Sequence, residues 1–290
     1  MSSFLVELSA KDIRSYTGLG SSFVAPAVQE LANLYFKETG IKINYQSFGS
    51  GAGLKQVTLG IVDFGFIDMP VTEKKLNNAK LIQFPLLSGS IVPIANIPGI
   101  KDNHVFISER SFYDIFTDKI KFWDDVSLKA HNKNIKLPHI KVRVIVRSDS
   151  SGTTYNFSAF LDSVKNTFRR HYAVSTQVPW PRNFVRVKGN EGVSSIVSQI
   201  PGAIGYVDHT YTIQKNTSHI SSIKLLSKED NIIMIPAKSY VILKKRHMKD
   251  PKYKNLMSFF LWIIKNGDRV LETMRYKVIP FDKEKDFNLL

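Results

Sequence analysis

Apolar strand, glycine- or serine-rich turn, amphipathic helix: this unit recurs along the chain and leaves few folds open to it. Residues 24–36 carry Val28, Leu31, Leu34 and Tyr35 on one helical face, with Pro26 suited to a first turn. Gly40 stops that helix, and Ile41, Ile43 and Tyr45 alternate as a strand. The turn at 48–53 opens a second helix with Leu54, Val57 and Leu59 inward, and residues 62–67 read as a strand ending at Asp68. This β-α-β-α order predicts an α/β sheet with helices on both faces.

The rhythm continues. Residues 84–98 form a long extended stretch suited to crossing between two lobes. Residues 142–146 read as a buried strand, 148–154 as a polar turn, and 155–164 as a helix with Phe157, Phe160 and Leu161 inward. A helix at 192–200, stopped by Pro201-Gly202, precedes a strand at 203–207. Residues 239–243 read as a return crossing, and 253–274 as a helical tail burying Leu256, Phe259, Phe260, Ile263 and Ile264. Two α/β lobes follow, the first discontinuous (1–88 with 238–290) and the second covering 89–237.

Composition narrows the classes. Hydrophobic residues make up 43% and charged residues 22%. No apolar run nears the roughly 20 residues a membrane span needs; the stretches at 81–100 and 259–264 are interrupted or short. Forty Lys plus Arg against 25 Asp plus Glu give a net charge of +15, which draws anions. The basic residues are scattered, thickening only at 244–246 and 249–254, and no nucleic-acid-binding signature accompanies them. The absence of cysteine excludes disulfides, Cys-based metal sites and a thiol nucleophile. Residues 1–10 lack the basic n-region and full apolar core of a secretory signal.

Three Gly/Ser/Thr turns stand just before helices, at 18–23, 49–53 and 148–153. A helix N-terminus offers unpaired N–H groups and the positive end of its dipole, so it attracts anions. Hydroxyls add donors, and glycine lets the backbone approach closely. Ordinary helix caps explain the same residues. Arg147 stands at the mouth of the third turn, two residues before Asp149; it suits a bidentate oxyanion contact, or else a surface Arg–Asp pair. Asp68 closes an apolar strand, where it either supplies an acceptor to a site or serves as a cap or turn residue before Pro70. No turn has the Gly-x-x-x-x-Gly-Lys-Ser/Thr order of a nucleotide-hydrolysing loop.

Several blocks together carry a family resemblance. They are TGLGSSFVAP (17–26), YQSFGSGAGLKQ (45–56), VDFGFIDMP (62–70), QFPLLSGSIVPIANIPG (83–99), DIFTDKIKFWDD (114–125), VIVRSDSSGTTYNF (144–157), GNEGVSSIVSQIPGAIGYV (189–207) and the region 259–262. In this order and spacing the chain resembles the phosphate-binding proteins of Pst-type ABC importers. The resemblance implies a two-lobed type II periplasmic-binding-protein fold whose two crossing strands form the hinge. It implies inorganic phosphate as ligand, a membrane permease as partner, an extracytoplasmic location and a monomer. It implies neither catalysis nor a cofactor or metal. Ser22 and Phe23 would donate to one phosphate oxygen and Ser50 to another. Arg147, steadied by Asp149, would pair with the anion, while Ser151, Gly152 and Thr153 donate from the third helix start. Asp68 would accept a hydrogen bond from a protonated phosphate oxygen. Ile67 stands where the family carries a small or polar residue, Ser22 replaces the usual Thr, and the segment after Tyr211 is short.

Two other readings compete. A phosphatase-like enzyme using Ser151 or Thr153 needs an adjacent base, yet His104, His131, His139, His171, His209, His219 and His247 lie scattered. No His or carboxylate cluster has metal-ligand spacing. A binder of sulfate or molybdate would face the Asp68 carboxylate with no proton to share. Sequons stand at Asn156 and Asn216, the first inside a predicted helix beside the site.

Overall fold

The computed structural model describes residues 15–100, 105–212, 220–248 and 250–280. The segment 1–10, His104, His219, Lys249 and the Asn216 sequon lie outside the described residues.

The first units are β1 (Ser15–Gly20), α1 (Ala25–Thr39), β2 (Lys42–Ser47), α2 (Ser50–Leu59), β3 (Phe64–Ile67) and α3 (Glu73–Ala79). The long strand β4 (Leu81–Ala95) leads to β5 (Phe106–Ser108), α4 (Glu109–Phe116) and α5 (Val126–Lys129). Then come β6 (Arg143–Arg147), α6 (Gly152–Val164), α7 (Phe168–His171), β7 (Val185–Val187), α8 (Gly189–Gln199) and β8 (Ala203–Asp208). The short strands β9 (Ser221–Ser222), β10 (Lys224–Leu226) and β11 (Ile232–Ile233) precede β12 (Ile235–Lys244), α9 (Lys254–Asn266), α10 (Asp268–Thr273) and β13 (Lys277–Val278).

One sheet runs through the molecule in the order β2-β1-β3-β12-β4-β8-β6-β7, with β9 and β13 also paired to β4. On one side β1 lies parallel to β2 and β3, and on the other β6 lies parallel to β7 and β8. The antiparallel pair β4 and β12 joins the two, from Leu81↔Lys244 to Ile91↔Ile235. This is the two-lobed α/β arrangement with two crossing strands. The register slips at Ser239/Tyr240, which face Leu87 and Pro85. Pro85 has no N–H for the ladder, so a slip there costs little pairing. The slip lies on the two crossing strands for which the resemblance implies a hinge.

Each lobe has an aromatic core. Tyr45, Phe64, Phe66, Phe84 and Phe260 pack through edge and stacked contacts on one side. Phe112, Phe116, Phe157, Trp180 and Tyr206 do so on the other, where Phe157 stacks on Tyr206 at 3.9 Å. Such pairs add about 0.5–1.5 kcal/mol each beyond burial. Helix α1 starts with a proline in its first turn and ends at Gly40, whose φ of 71° satisfies the left-handed cap and whose N–H donates to the Phe36 carbonyl.

Several boundaries differ from the sequence reading. Leu59 is 61% exposed, because α2 ends there and its inner face is complete with Leu54 and Val57. Helix α6 begins at Gly152, inside the expected turn, since the Ser151 hydroxyl caps it by accepting from the Thr154 N–H. Helix α8 begins at Gly189, three residues early. The tail is two helices broken at Gly267, and Leu34, Phe160 and Ile264 are half-buried.

Candidate functional site

All three turns end at one place, and the backbone ties them together. The Ser21 N–H donates to the Phe66 carbonyl at 2.8 Å, fixing the first turn to β3. The N–H groups of Phe48 and Gly49 donate to the Gly20 carbonyl at 2.9 and 2.7 Å, fixing the second turn to the first. The Gly51 N–H donates to the Ser150 carbonyl at 2.9 Å, which brings the third turn across from the other lobe. A methyl group on Gly152 would lie 2.5 Å from Ser50 Oγ and 2.7 Å from Asp68 Cβ, so only glycine admits this approach.

Asp68 is 1% exposed at the end of β3. It caps no helix, for α3 follows with Thr72 at its N-cap position. Three hydroxyls donate to it instead: Ser21 at 2.6 Å and Ser50 at 3.3 Å to Oδ2, and Ser239 at 2.8 Å to Oδ1. Burial pushes its carboxyl up to about 6, against the pull of the Ser21 and Ser239 hydroxyls, Arg147 and Ser50. Ser50 Oγ also accepts from the Asp68 N–H at 3.2 Å and the Gly152 N–H at 3.1 Å, so it links the lobes.

Arg147 and Asp149 form a buried bidentate pair, not a surface one. Their side chains are 1% and 7% exposed, with Nε to Oδ1 at 2.7 Å and Nη2 to Oδ2 at 2.5 Å. Burial alone would raise the Asp149 carboxyl, but the Arg147 hydrogen bonds and charge hold it below the usual range. Burial would likewise lower Arg147, and Asp149 outweighs it. The Gly189 N–H adds a bond to Asp149 Oδ1 at 3.2 Å. Nη1 of Arg147 faces Thr153 Oγ1 at 3.5 Å, leaving donor capacity on the guanidinium for a ligand.

Ser22, Phe23, Ser50, Ser151, Gly152 and Thr153 are all buried here. The N–H groups of Ser22, Ser50 and Thr153 have no hydrogen-bond partner among the described residues. Buried N–H groups without partners are rare, and three from separate turns, two of them in the first turn of a helix, suit an acceptor-rich anion. Phe23 differs from expectation. Its N–H donates to Ser21 Oγ at 2.9 Å, because a serine two residues back closes a local turn.

Sequence reasoning missed several neighbours. Asn190 donates from its N–H (3.2 Å) and Nδ2 (3.1 Å) to Ser22 Oγ across the lobes. Its signal was legible, since Gly189-Asn190 opens α8 as the other turns open their helices. Ser21 sat beside a residue already singled out. Ser239 sits mid-strand and carried no signal. Asn156 spends its amide on the Asp68 and Gly152 carbonyls, holding α6 against the site. Ile67 points away, into a cluster with Leu54 and Val57. Neither Ser151 Oγ nor Thr153 Oγ1 has a general base as hydrogen-bond partner among the described residues.

Two α/β lobes on a shared strand pair, with donors and one acceptor between them, define a binding protein of the periplasmic type. Residues 6–268 match the PBP superfamily domain. The phosphate-binding protein PstS of Haemophilus influenzae is 34% identical, over 92% of this chain and 90% of that protein. The PstS of Xylella fastidiosa (strain 9a5c) is 32% identical, over 91% and 81%. The chain belongs to the PstS family of phosphate-binding proteins. In fold it is similar to PfluDING, a high-affinity periplasmic phosphate-binding protein solved with phosphate, at a TM-score of 0.71 and 16% identity over 95% of this chain and 92% of that one.

Proposed function

We propose that this chain captures inorganic phosphate between its lobes, outside the cytoplasm, and delivers it as a monomer to the permease of an ABC importer without chemical change. One observation carries the reading: Ser22, Ser50, Asp68, Arg147, Gly152 and Thr153 form a single buried cluster in which free N–H donors and a guanidinium face one acceptor carboxylate. The donors neutralise and coordinate anionic oxygens. The Asp68 carboxylate, ionised above about pH 6, takes the hydrogen bond of the proton that phosphate retains. Sulfate and molybdate have no such proton at neutral pH and would oppose acceptor to acceptor.

The lobes are assigned as 1–88 with 238–290 and 89–237, and they close by bending β4 and β12 near the register slip. Bonds such as Gly51 to Ser150 and Asn190 to Ser22 then belong to the closed form. The test is parallel calorimetric titration of the purified chain with phosphate, sulfate and molybdate. Saturable binding of phosphate, at least tenfold tighter than either competitor (about 1.4 kcal/mol), is expected. Equal affinities, or none for phosphate, would overturn the reading.

A further inference from the structure

Behind the first turn stand three tyrosines that the binding role does not use. Tyr45, on β2, donates its hydroxyl to the Ser21 carbonyl at 2.9 Å. Tyr211, just after β8, donates to the Ser22 carbonyl at 3.3 Å. Tyr276, between α10 and β13, donates to the Phe23 carbonyl at 2.5 Å. Three consecutive carbonyls are thus held by three hydroxyls from three parts of the fold. In a planar trans peptide the C=O and the following N–H point opposite ways. Holding these carbonyls therefore turns the N–H groups of Ser22, Phe23 and Val24 to the opposite side, where Ser21 Oγ takes that of Phe23 and those of Ser22 and Val24 have no partner among the described residues.

The third tyrosine has a second neighbour. Its hydroxyl oxygen lies 2.6 Å from Oδ1 of Asp208, the last residue of β8. A phenol carries one hydrogen, and the Phe23 carbonyl can only accept. With that hydrogen on Phe23, the Asp208 contact needs a second proton, which the carboxyl must supply. Asp208 is 1% exposed, and its Oδ1 also accepts from the Thr210 N–H at 2.9 Å. Burial pushes this carboxyl up to about 7 against the pull of Thr210 and Tyr276, and the Asp68 charge adds to the rise. Tyr211 also faces it, while His209, its ring driven towards neutrality by burial and by Arg275, is the next residue in sequence. The rings of Tyr276 and Phe23 sit over Gly89 of β4, where a methyl group would come within 2.8 and 3.1 Å of them. The assembly thus bridges the lobes over a crossing strand.

We infer that Tyr45, Tyr211 and Tyr276 are positioning residues that aim the peptide groups of the Ser21-Ser22-Phe23 turn at the anion, and that a protonated Asp208 holds the Tyr276 hydroxyl on the Phe23 carbonyl. The inference rests on that turn binding phosphate. When Asp208 loses its proton, its carboxylate takes the phenol hydrogen, the Phe23 carbonyl loses its donor, and a negative charge stands behind the site. Both changes weaken binding as pH rises through neutrality.

Two measurements test it. The first needs no ligand: the carboxyl carbon-13 resonance of Asp208 in the wild-type chain should titrate with a midpoint at or above about pH 6.5, well above the ordinary carboxyl range. A lower midpoint overturns the protonated latch. The second compares phosphate dissociation constants of wild type and Asp208→Asn, which has no proton to lose in this range. Phosphate ionisation acts alike in both and so cancels. Between about pH 6 and pH 8.5 the wild-type-to-variant ratio should rise about threefold to tenfold, as for loss of one hydrogen bond. In a Tyr276→Phe background the rise should be smaller, because only the effect of the Asp208 charge is left. A flat ratio in the first pair, or an undiminished rise in the second, overturns the hydroxyl relay. Failure of the wild type to bind phosphate at any pH instead defeats the functional reading and leaves the Asp208 titration to stand alone.

Discussion

Asp68 concentrates the chemistry of the site in one carboxyl. Three hydroxyl donors would stabilise its charge, yet complete burial outweighs them and lifts it from 3.8 to about 6. A raised acid binds its proton more tightly when folded. The stability it contributes is full below about pH 4 and is lost as pH rises through about 6, roughly 3 kcal/mol in all. Asp68→Asn should therefore flatten the fall in melting temperature of the unliganded protein between about pH 4 and 6. The same variant should raise sulfate affinity relative to phosphate by about tenfold, since an opposed buried acceptor costs roughly 1–3 kcal/mol. A ratio that stays put would move selectivity to the backbone donors. Arg147→Ala should cost about 2–5 kcal/mol of phosphate affinity, because it removes a buried charge partner and strands Asp149. Alanine at Lys245 or Arg246, both exposed, should change mainly the association rate and its salt dependence. Equal losses from both places would mean that a diffuse field holds the anion.

Among the elements, the helix starts matter more than the helices. The starts of α2 and α6 and the turn before α1 each present N–H groups where another turn arrives, and Gly49, Gly51 and Gly152 are all close approaches between the lobes. Gly152→Ala puts a methyl group against Ser50 and Asp68 of the facing lobe, whereas its own lobe leaves α6 free to form. The variant should melt within a few degrees of wild type yet bind phosphate at least tenfold more weakly (about 1.4 kcal/mol or more). Wild-type affinity measured by calorimetry would show that the lobes need not approach this closely. The register slip opposite Pro85 has a second effect. It coincides with Ser239, whose hydroxyl reaches Asp68, so the crossing strand that carries the slip also holds the acceptor.

At the scale of the whole molecule, the two lobes meet through polar contacts around the site, while β4 and β12 pass continuously between them. Polar contacts alone separate more readily than a packed core, so the unliganded chain should open. Small-angle scattering should give a smaller radius of gyration with saturating phosphate than without it. Identical profiles at saturation would count against closure. The net charge of +15 is spread over the surface, and its effect belongs to encounter and not to the bound state.

The sequence by itself determined the α/β class, the three glycine and serine turns, and the placing of Arg147 two residues before Asp149. Each of these is written in local pattern: periodicity, turn chemistry, or a spacing of two residues. Burial is not local. Whether Arg147 and Asp149 made a surface pair or a buried one, and whether Asp68 capped a turn or faced a site, depended on which segments the sheet brought over them. The same holds for Ser239, Asn190 and the three tyrosines, which lie far apart in the chain from the turns they serve. A hydroxyl in mid-strand looks alike whether it faces water or a carboxylate. The tertiary structure decided these because hydrogen bonds and desolvation act through space, and only the folded chain fixes which donors share a volume from which water is excluded.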